Sequence, residues 1–410
     1  MKYILVIGDG IADDPVPALD LITPLQFSYT PTADKLADAG VLGCSVTIPE
    51  GMQAGSDTAI LSILGLDPKK YFAGRAPLEA AATDIKLKPG DVAYRCNMLS
   101  IDDNDVPFEE KKIISHSAGA IDGEESNKLV LDLFNDPAFK EKADNTGIVV
   151  YPGSSFRHIV VQKAPDNSNT KLTAPHDHLD ESLGRFLPFG SENAEMLKDL
   201  VKASNEFLTK HPINEKRRSE GKLPANCIWF WAEGTAVELP GFTERYGKTG
   251  SVISAVPLCR GIGVLIGLEK IIVNGATGEL NTNYKGKVEA AIESISRNDF
   301  TLIHIEAPDE CTHNGDLKGK IQAIEWIDSR ILTPLLKEVG ENETEFRLLF
   351  ISDHRTLIST RGHDSGPVPF VLYDSRFNYK TGLKFTEADA ASTELVVQGT
   401  KLMDMLFEEK

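Results

Sequence analysis

The stretch "YILVIGDG", residues 3 to 10, is a β-rich apolar run that stops at an acid, Asp9. Two later stretches repeat the design: "FTLIHIEAPDE" (300 to 310) and "RLLFISDHR" (347 to 355). Continuous apolar runs of this length read as strands buried on both faces, the pattern of a parallel sheet covered by helices. Helical periodicity appears between them. "TPTADKLADAG" (30 to 40) offers Thr30 as an N-cap, Pro31 at the first helical position and Gly40 past the end. "KIQAIEWIDSRILTPLLKEV" (320 to 339) repeats apolar residues at helical spacing, with Pro334 expected to kink it or end its first part. Strands alternating with helices predict an α/β protein with a doubly wound, mostly parallel sheet and helices on both faces. In such sheets ligands collect outside the carboxyl ends of the strands. Asp9, Asp309 and Asp353 all belong to that edge.

A chain of 410 residues exceeds the size at which one hydrophobic core stops growing, so two domains are expected. Acid-terminated strands occur near residue 9 and again beyond residue 300, which assigns the sheet domain to both ends of the chain, roughly 1–85 and 235–410. The middle, roughly 86–234, is then a smaller inserted α+β domain. Within it "APDNSNTKLTAPHDHLDESLG" (164 to 184) reads as a long loop and "HPINEKRRSEGKLPAN" (211 to 226) as a charged connection.

Lys and Arg total 43 against 61 Asp and Glu, and the net charge of -18 opposes phosphate backbones and anionic lipid, so neither nucleic acid nor a membrane is an expected partner. A small anion pocket remains compatible with this charge, because a pocket's field is set by its nearest groups. The five cysteines are odd in number and widely spaced, unlike a disulfide framework or a zinc knuckle. The N-terminal apolar run is too short for a signal peptide and no later run reaches membrane-spanning length, so a cytoplasmic location is expected. The oligomeric state stays open.

The chemistry concentrates at the strand ends. Asp353 and His354 follow one strand directly, His363 lies shortly after in "STRGHDSG", and Asp309 precedes His313 by four residues. That spacing puts the last two on one face if the chain turns helically there, with Cys311 pointing elsewhere. An aspartate at a strand end either caps the next helix or ligates a metal, and each taken alone admits both readings. Three such ends on one edge, with three of the nine histidines beside them, favour ligation. Mixed carboxylate and imidazole donors suit Mn²⁺ or Zn²⁺ better than Ca²⁺, and the lack of paired cysteines disfavours structural zinc. In "EGMQAGSDTAILSILGL" (50 to 66), Ser56 stands at the expected start of an apolar helix, where the helix dipole and an adjacent metal would lower its pKa. The alternative is that Ser56 or Asp57 caps that helix. The segment does not match the Gly-x-Ser-x-Gly elbow of serine hydrolases, and neither a P-loop nor a dinucleotide fingerprint is present.

The ordered set "GDG", "PEGMQAGSDTAILSILGLDPKKYFAGRAPLEA", "YPGSSFRH", "APHD", "GATGELNTNYKGK", "IEAPDECTH" and "SDH" followed by "GHDSGPVPF" resembles the cofactor-independent phosphoglycerate mutases of the archaeal type, members of the alkaline phosphatase superfamily. The resemblance spans nearly the whole chain. It implies an alkaline-phosphatase-like catalytic domain, an inserted substrate-binding cap, and two divalent metal ions, Mn²⁺ first with Zn²⁺ and Mg²⁺ as alternatives. One metal would be held by Asp309, His313 and His363, the other by Asp9, Ser56, Asp353 and His354. It also implies that Ser56 takes the phosphoryl group of 3-phosphoglycerate and returns it to the 2-oxygen, without 2,3-bisphosphoglycerate. Candidates for holding the anionic substrate are Arg75, Arg157, His158, His176 and Asp177, with Lys287 from the catalytic layer. Arg355, Leu357 and Ala120 depart from the residues expected in archaeal members. Bacterial relatives with a segment like "HPINEKRRSEGKLPANCIWFW" are proposed homoserine kinases, so ATP-dependent phosphorylation of homoserine stands as the alternative.

Overall fold

The computed structural model describes residues 1–153, 155–341 and 345–408 and divides the chain into two compact units, Met1–Phe72 with Glu238–Lys410, and Ala73–Val237. The first boundary falls at residue 73 and not near 86, because helix Arg75–Ala82 packs on strands Val92–Ile101 and Cys227–Thr235 of the second unit.

The first unit is built on a sheet with the strand order Val396–Gln398, Val41–Val46, Val368–Asp374, Phe346–Ser352, Lys2–Gly8, Phe300–Ile305, Gly250–Ile253, Glu269–Ile271. Among the described residues only Val368–Asp374 runs antiparallel to its neighbours. The three acid-terminated runs are the adjacent central strands. From Tyr3 to Ile7 no residue is more than 1 % exposed, as expected for a strand covered on both faces. Alternate side chains divide between two layers. Ile4 and Val6 pack with Leu36, Ile324 and Leu335 from helices on one face. Tyr3 meets Phe407 at 4.9 Å between ring centres on the other, where Phe300 meets Phe242 at 4.9 Å.

Two helix expectations are refined. Helix Pro31–Ala39 has Thr30 at its N-cap position, but that hydroxyl caps nothing; Asp328 accepts from the amides of Thr32 (3.0 Å) and Ala33 (2.7 Å) instead. The long periodic segment breaks before Pro334: helix Leu317–Ile327 passes through a π-helical turn, Asp328–Leu332, into helix Thr333–Glu341. Proline lacks the N–H that would close on the carbonyl four residues back, so the winding changes just upstream of it.

The second unit is an antiparallel sheet around Val92–Ile101, which pairs with Cys227–Thr235 and Arg157–Gln162, and through its C-terminal end with Ile113–Ser115; Ile148–Tyr151 lies beyond Arg157–Gln162. Helices Gly123–Asn135 and Glu192–Leu208 bury Leu129, Leu133, Leu197 and Leu200 against its Trp229 and Phe230. Residues 164–184 carry no strand or α-helix, as expected of a loop. Residues 211–226 are not simply a connection. They contain helix Pro212–Ser219, whose Arg217 is 4 % exposed, pairs with Glu125 at 2.5 Å and donates to the carbonyl of Leu223 at 2.8 Å.

No helix among the described residues is long and apolar enough to cross a membrane. All five cysteines are buried and free.

Candidate metal centre and anion-binding cluster

Strand register builds the site. Gly8 pairs with Ile305 on one side and with Ser352 on the other, so the next residues, Asp9, Glu306 and Asp353, leave the sheet at one level. Helix Ala307–His313 starts directly after Ile305, and its pitch places Asp309 and His313 on one face with Nε2 and Oδ2 3.1 Å apart. Cys311 turns away, its sulfur against Gly319. A two-stranded hairpin, Arg355–Leu357 with Gly362–Asp364, brings His363 across from Thr356. The Nε2 atoms of His313 and His363 face each other at 2.9 Å, and His363 Nε2 lies 3.4 Å from Asp309 Oδ1. Their Nδ1 atoms point to the carbonyls of Arg361 (2.8 Å) and Ala54 (3.3 Å), which leaves both Nε2 lone pairs directed at one point.

The second cluster is deeper. Ser56 is the first residue of helix Ser56–Ile63, behind Gly55 at the N-cap, and its hydroxyl makes no capping bond. It lies 3.2 Å from His354 Nε2 and 3.4 Å from Asp9 Oδ2. Asp57 bonds the amide of Thr58 at 2.8 Å, so of the two residues considered for capping only Asp57 serves the helix backbone. His354 Nε2 is 3.4 Å from both Asp9 Oδ1 and Asp353 Oδ2. Those two carboxylate oxygens are buried and have no hydrogen-bond partner. Buried orphan oxygens are costly, and two of them 3.4 Å from the same histidine nitrogen mark a place for a cation.

Electrostatics agree. Burial, then the carboxylates of Asp353 and Asp309, push the Asp9 carboxyl well above its usual range. Burial acts on Asp309 in the same direction, but its hydrogen bonds with His313 and His363 outweigh it and hold that carboxyl well below the usual range. The Asp309 bond raises His313 to about 9. Three buried carboxylates within reach of three imidazoles and a hydroxyl fit divalent ions that take mixed nitrogen and oxygen donors.

Two residues of this centre, Thr356 and His304, carry little mark in the sequence pattern. Thr356 donates to Asp309 Oδ1 at 2.6 Å and lies 3.1 Å from His354 Nδ1. His304, wholly buried in its strand, meets Asp9 Oδ2 at 3.0 Å through Nε2. The one hint in the sequence was a histidine inside an otherwise apolar run. Arg260 lies on helix Pro257–Leu265, which follows strand Gly250–Ile253 and packs on helix Ser56–Ile63; its Nε is buried without a partner. Lys287, expected near phosphate, is 1 % exposed and donates to the carbonyl of His304 at 2.9 Å. Burial pulls it down to about 8, against the opposing charge of Glu306.

The remaining expected substrate residues belong to the second unit. Arg157, His176 and the unforeseen Arg95 surround Trp231: the guanidinium carbons of Arg95 and Arg157 lie 4.8 and 5.5 Å from its ring centre and the His176 ring 5.0 Å. Arg95 is held by Glu79, donating from Nε at 3.0 Å. Arg157 has a buried Nε without a partner, and burial, then Arg95, lower its pKa to about 10 with Arg75 adding to the effect. Three arginines against one glutamate leave the cluster cationic. Asp177 lies beside His176, 3.6 Å away, and is exposed. His158 does not join them. Its Nδ1 accepts from Gly153 N at 3.0 Å and its Nε2 bonds Ser126 Oγ at 3.0 Å, so no ring nitrogen is left for a ligand.

A family model described as 2,3-bisphosphoglycerate-independent phosphoglycerate mutase matches residues 37–214. The chain is 42 % identical to the protein of that name from Methanosarcina barkeri, covering 100 % of both chains. It is 40 % identical, again over 100 % of both, to a probable 2,3-bisphosphoglycerate-independent phosphoglycerate mutase of Geobacter sulfurreducens. Among solved structures, the cofactor-independent phosphoglycerate mutase of Thermoplasma acidophilum is 26 % identical with a TM-score of 0.63, covering 99 % of each chain. A Pyrococcus horikoshii protein is 28 % identical with a TM-score of 0.82, covering 100 % of this chain and 98 % of the other.

Proposed function

The chain belongs to the 2,3-bisphosphoglycerate-independent phosphoglycerate mutases, and from that membership we propose that it interconverts 3-phosphoglycerate and 2-phosphoglycerate by way of a phosphoserine at Ser56. The observation that carries the serine's role is the Ser56 hydroxyl. It makes no cap, stands at the positive end of its helix, and sits 3.2 Å from His354 and 3.4 Å from Asp9 among the orphaned carboxylate oxygens.

Asp309, His313 and His363 would hold one divalent ion and Asp9, Ser56, Asp353 and His354 a second, with Mn²⁺ the first candidate. Bound there, such ions supply positive charge to the serine oxygen and to the transferred phosphoryl group. The protein's own groups do the rest. The Ser56 hydroxyl gives up its proton as its oxygen bonds to phosphorus, the bond from phosphorus to the 3-oxygen breaks, and that oxygen takes up a proton. The 2-hydroxyl then attacks phosphoserine and gives up its proton, the bond from phosphorus to the Ser56 oxygen breaks, and that oxygen takes a proton back. Substrate is converted with no net gain or loss of atoms. Arg260, with its unpartnered buried Nε beside the Ser56 helix, suits the phosphoryl oxygens. The cluster of Arg95, Arg157 and His176 around Trp231, with Arg75 close enough to lower the pKa of Arg157, suits the anionic body of the substrate, and Asp177, 3.6 Å from His176, is suited to moving a proton between hydroxyls.

Protein loaded with Mn²⁺ is expected to convert 3-phosphoglycerate to 2-phosphoglycerate without added 2,3-bisphosphoglycerate, followed by phosphorus NMR. Ser56→Ala is expected to lose both turnover and phosphoryl labelling. Absence of turnover in metal-replete protein, or turnover that survives in Ser56→Ala, sinks the reading. The homoserine kinase alternative finds no support in the relatives reported above. Arg355, one of the residues that raised it, is engaged in ion pairs with Asp14 and Asp364.

A further inference from the structure

Each carboxylate of the candidate metal centre has one oxygen held by a donor that is not itself a candidate ligand atom. Asp353 Oδ1 accepts from the amides of Gly10 (3.1 Å) and His354 (2.8 Å), and Asp309 Oδ1 from Thr356 at 2.6 Å. For Asp9 the tie is an imidazole. His304 Nε2 lies 3.0 Å from Oδ2, while Oδ1 is the buried oxygen with no partner. Behind His304 the hydrogen bonds run in one direction. The amide of Val256 donates to Ser254 Oγ at 3.0 Å, which leaves the hydroxyl proton of Ser254 for His304 Nδ1, 3.2 Å away. Of its other neighbours, the carbonyl of Val256 is at 3.5 Å, the limit of such a bond, and the thiol of Cys259, which burial keeps protonated, is itself a donor. With Nδ1 accepting, the ring proton of neutral His304 sits on Nε2 and is donated to Asp9. Lys287 fixes the backbone beneath by donating to the carbonyl of His304 at 2.9 Å.

We infer that His304 is a positioning residue for the metal centre: through the chain Val256, Ser254, His304 it clamps Asp9 by Oδ2 and so presents Oδ1 to the cation. Outer partners of this kind hold a ligand's orientation, and their loss typically weakens metal binding by about 10–100-fold. This inference rests on the reading of Asp9 as a metal ligand.

The test is Mn²⁺ titration of chelator-stripped full-length protein without substrate, with free Mn²⁺ read by electron paramagnetic resonance and folding checked by circular dichroism. Asp9→Ala is expected to lose one binding event. His304→Leu should weaken that event by about 10–100-fold, and His304→Gln, whose amide nitrogen reaches where Nε2 donates, should recover it to within a few-fold. Ser254→Ala should give an intermediate loss. His304→Leu that folds and binds as the unaltered protein does, beside a weakened Asp9→Ala, overturns this inference alone, as does His304→Gln as weak as His304→Leu. If His304→Leu does not fold, the other two decide: recovery in His304→Gln with a loss in Ser254→Ala supports the clamp, and unchanged binding in Ser254→Ala overturns it. Unchanged binding in Asp9→Ala removes the ligand assignment and this inference together.

Discussion

A carboxylate that must bind a cation has to be both unscreened and held still, and those needs are met by different atoms of one side chain. Asp309 shows the division: one oxygen is fixed by the hydroxyl of Thr356 and the other faces His313. Thr356→Val keeps the shape and deletes the donor. It is expected to weaken metal binding about 10-fold and to lower stability by about 1–2 kcal/mol, read by metal titration and urea unfolding. As candidates, Asp9, Asp309, His313, Asp353, His354 and His363 were legible because acids and histidines recur at strand ends, and Ser56 because it opens an apolar helix, with the ligand sets implied by the family resemblance. His304 and Thr356 were not, because each looks like an ordinary strand residue until folding brings it against a candidate ligand. His158 erred in the other direction. It sits in a motif but is buried, and burial lowers its pKa from the ordinary imidazole range to about 4. Its folded pKa lies below the unfolded one, so the unfolded chain binds the extra proton. Its contribution is present above about pH 6.5 and is lost as pH falls from there towards 4, up to about 3 kcal/mol. Urea midpoints at pH 7 and pH 5 should therefore diverge, and less so in His158→Leu.

At the scale of elements, the central strands read directly from sequence because they are buried on both faces and need no alternation. Their C-terminal turns are equally constrained. Gly10 follows Asp9 with φ of 61°, and a Cβ there would collide with Thr356 Oγ1 and come within 2.9 Å of Asp309 Oδ1. Gly10→Ala must both strain the left-handed turn and push on Asp309, a proposed ligand. Turnover is expected to fall on the order of 100-fold, as for small misplacements of catalytic groups, while circular dichroism stays unchanged; wild-type turnover in this variant would show that the loop gives way freely. The antiparallel strands of the second unit were much less readable. Val92–Ile101 finds partners more than 50 residues away along the chain at Arg157–Gln162 and more than 120 away at Cys227–Thr235, and nothing local declares such pairings. Helix Pro212–Ser219 was masked by its charges, because buried Arg217 looks the same in sequence as a solvated one.

For the whole molecule, the first unit concentrates Asp9, Asp309 and Asp353 in its interior, a repulsive arrangement that a bound cation relieves. Mn²⁺ at about 100 times its dissociation constant should stabilise that unit by about 2.7 kcal/mol, or about 5–10 °C in melting temperature for a unit of this size. Calorimetry with and without chelator tests this, and an unchanged transition would count against both metal sites. The net charge of -18 is compatible with an anionic substrate because the cationic groups are gathered locally, at Arg75, Arg95 and Arg157. The parallel central strands and the edge at which the acids meet could be read from the sequence, because burial on both faces restricts residue type at each strand position. Folding in three dimensions was needed to show which oxygens of Asp9 and Asp353 are left without a partner, that His304 rather than Lys287 touches the cluster, and that His158 faces inward. Those depend on hydrogen-bond partners brought together from distant segments, and a linear pattern does not encode them.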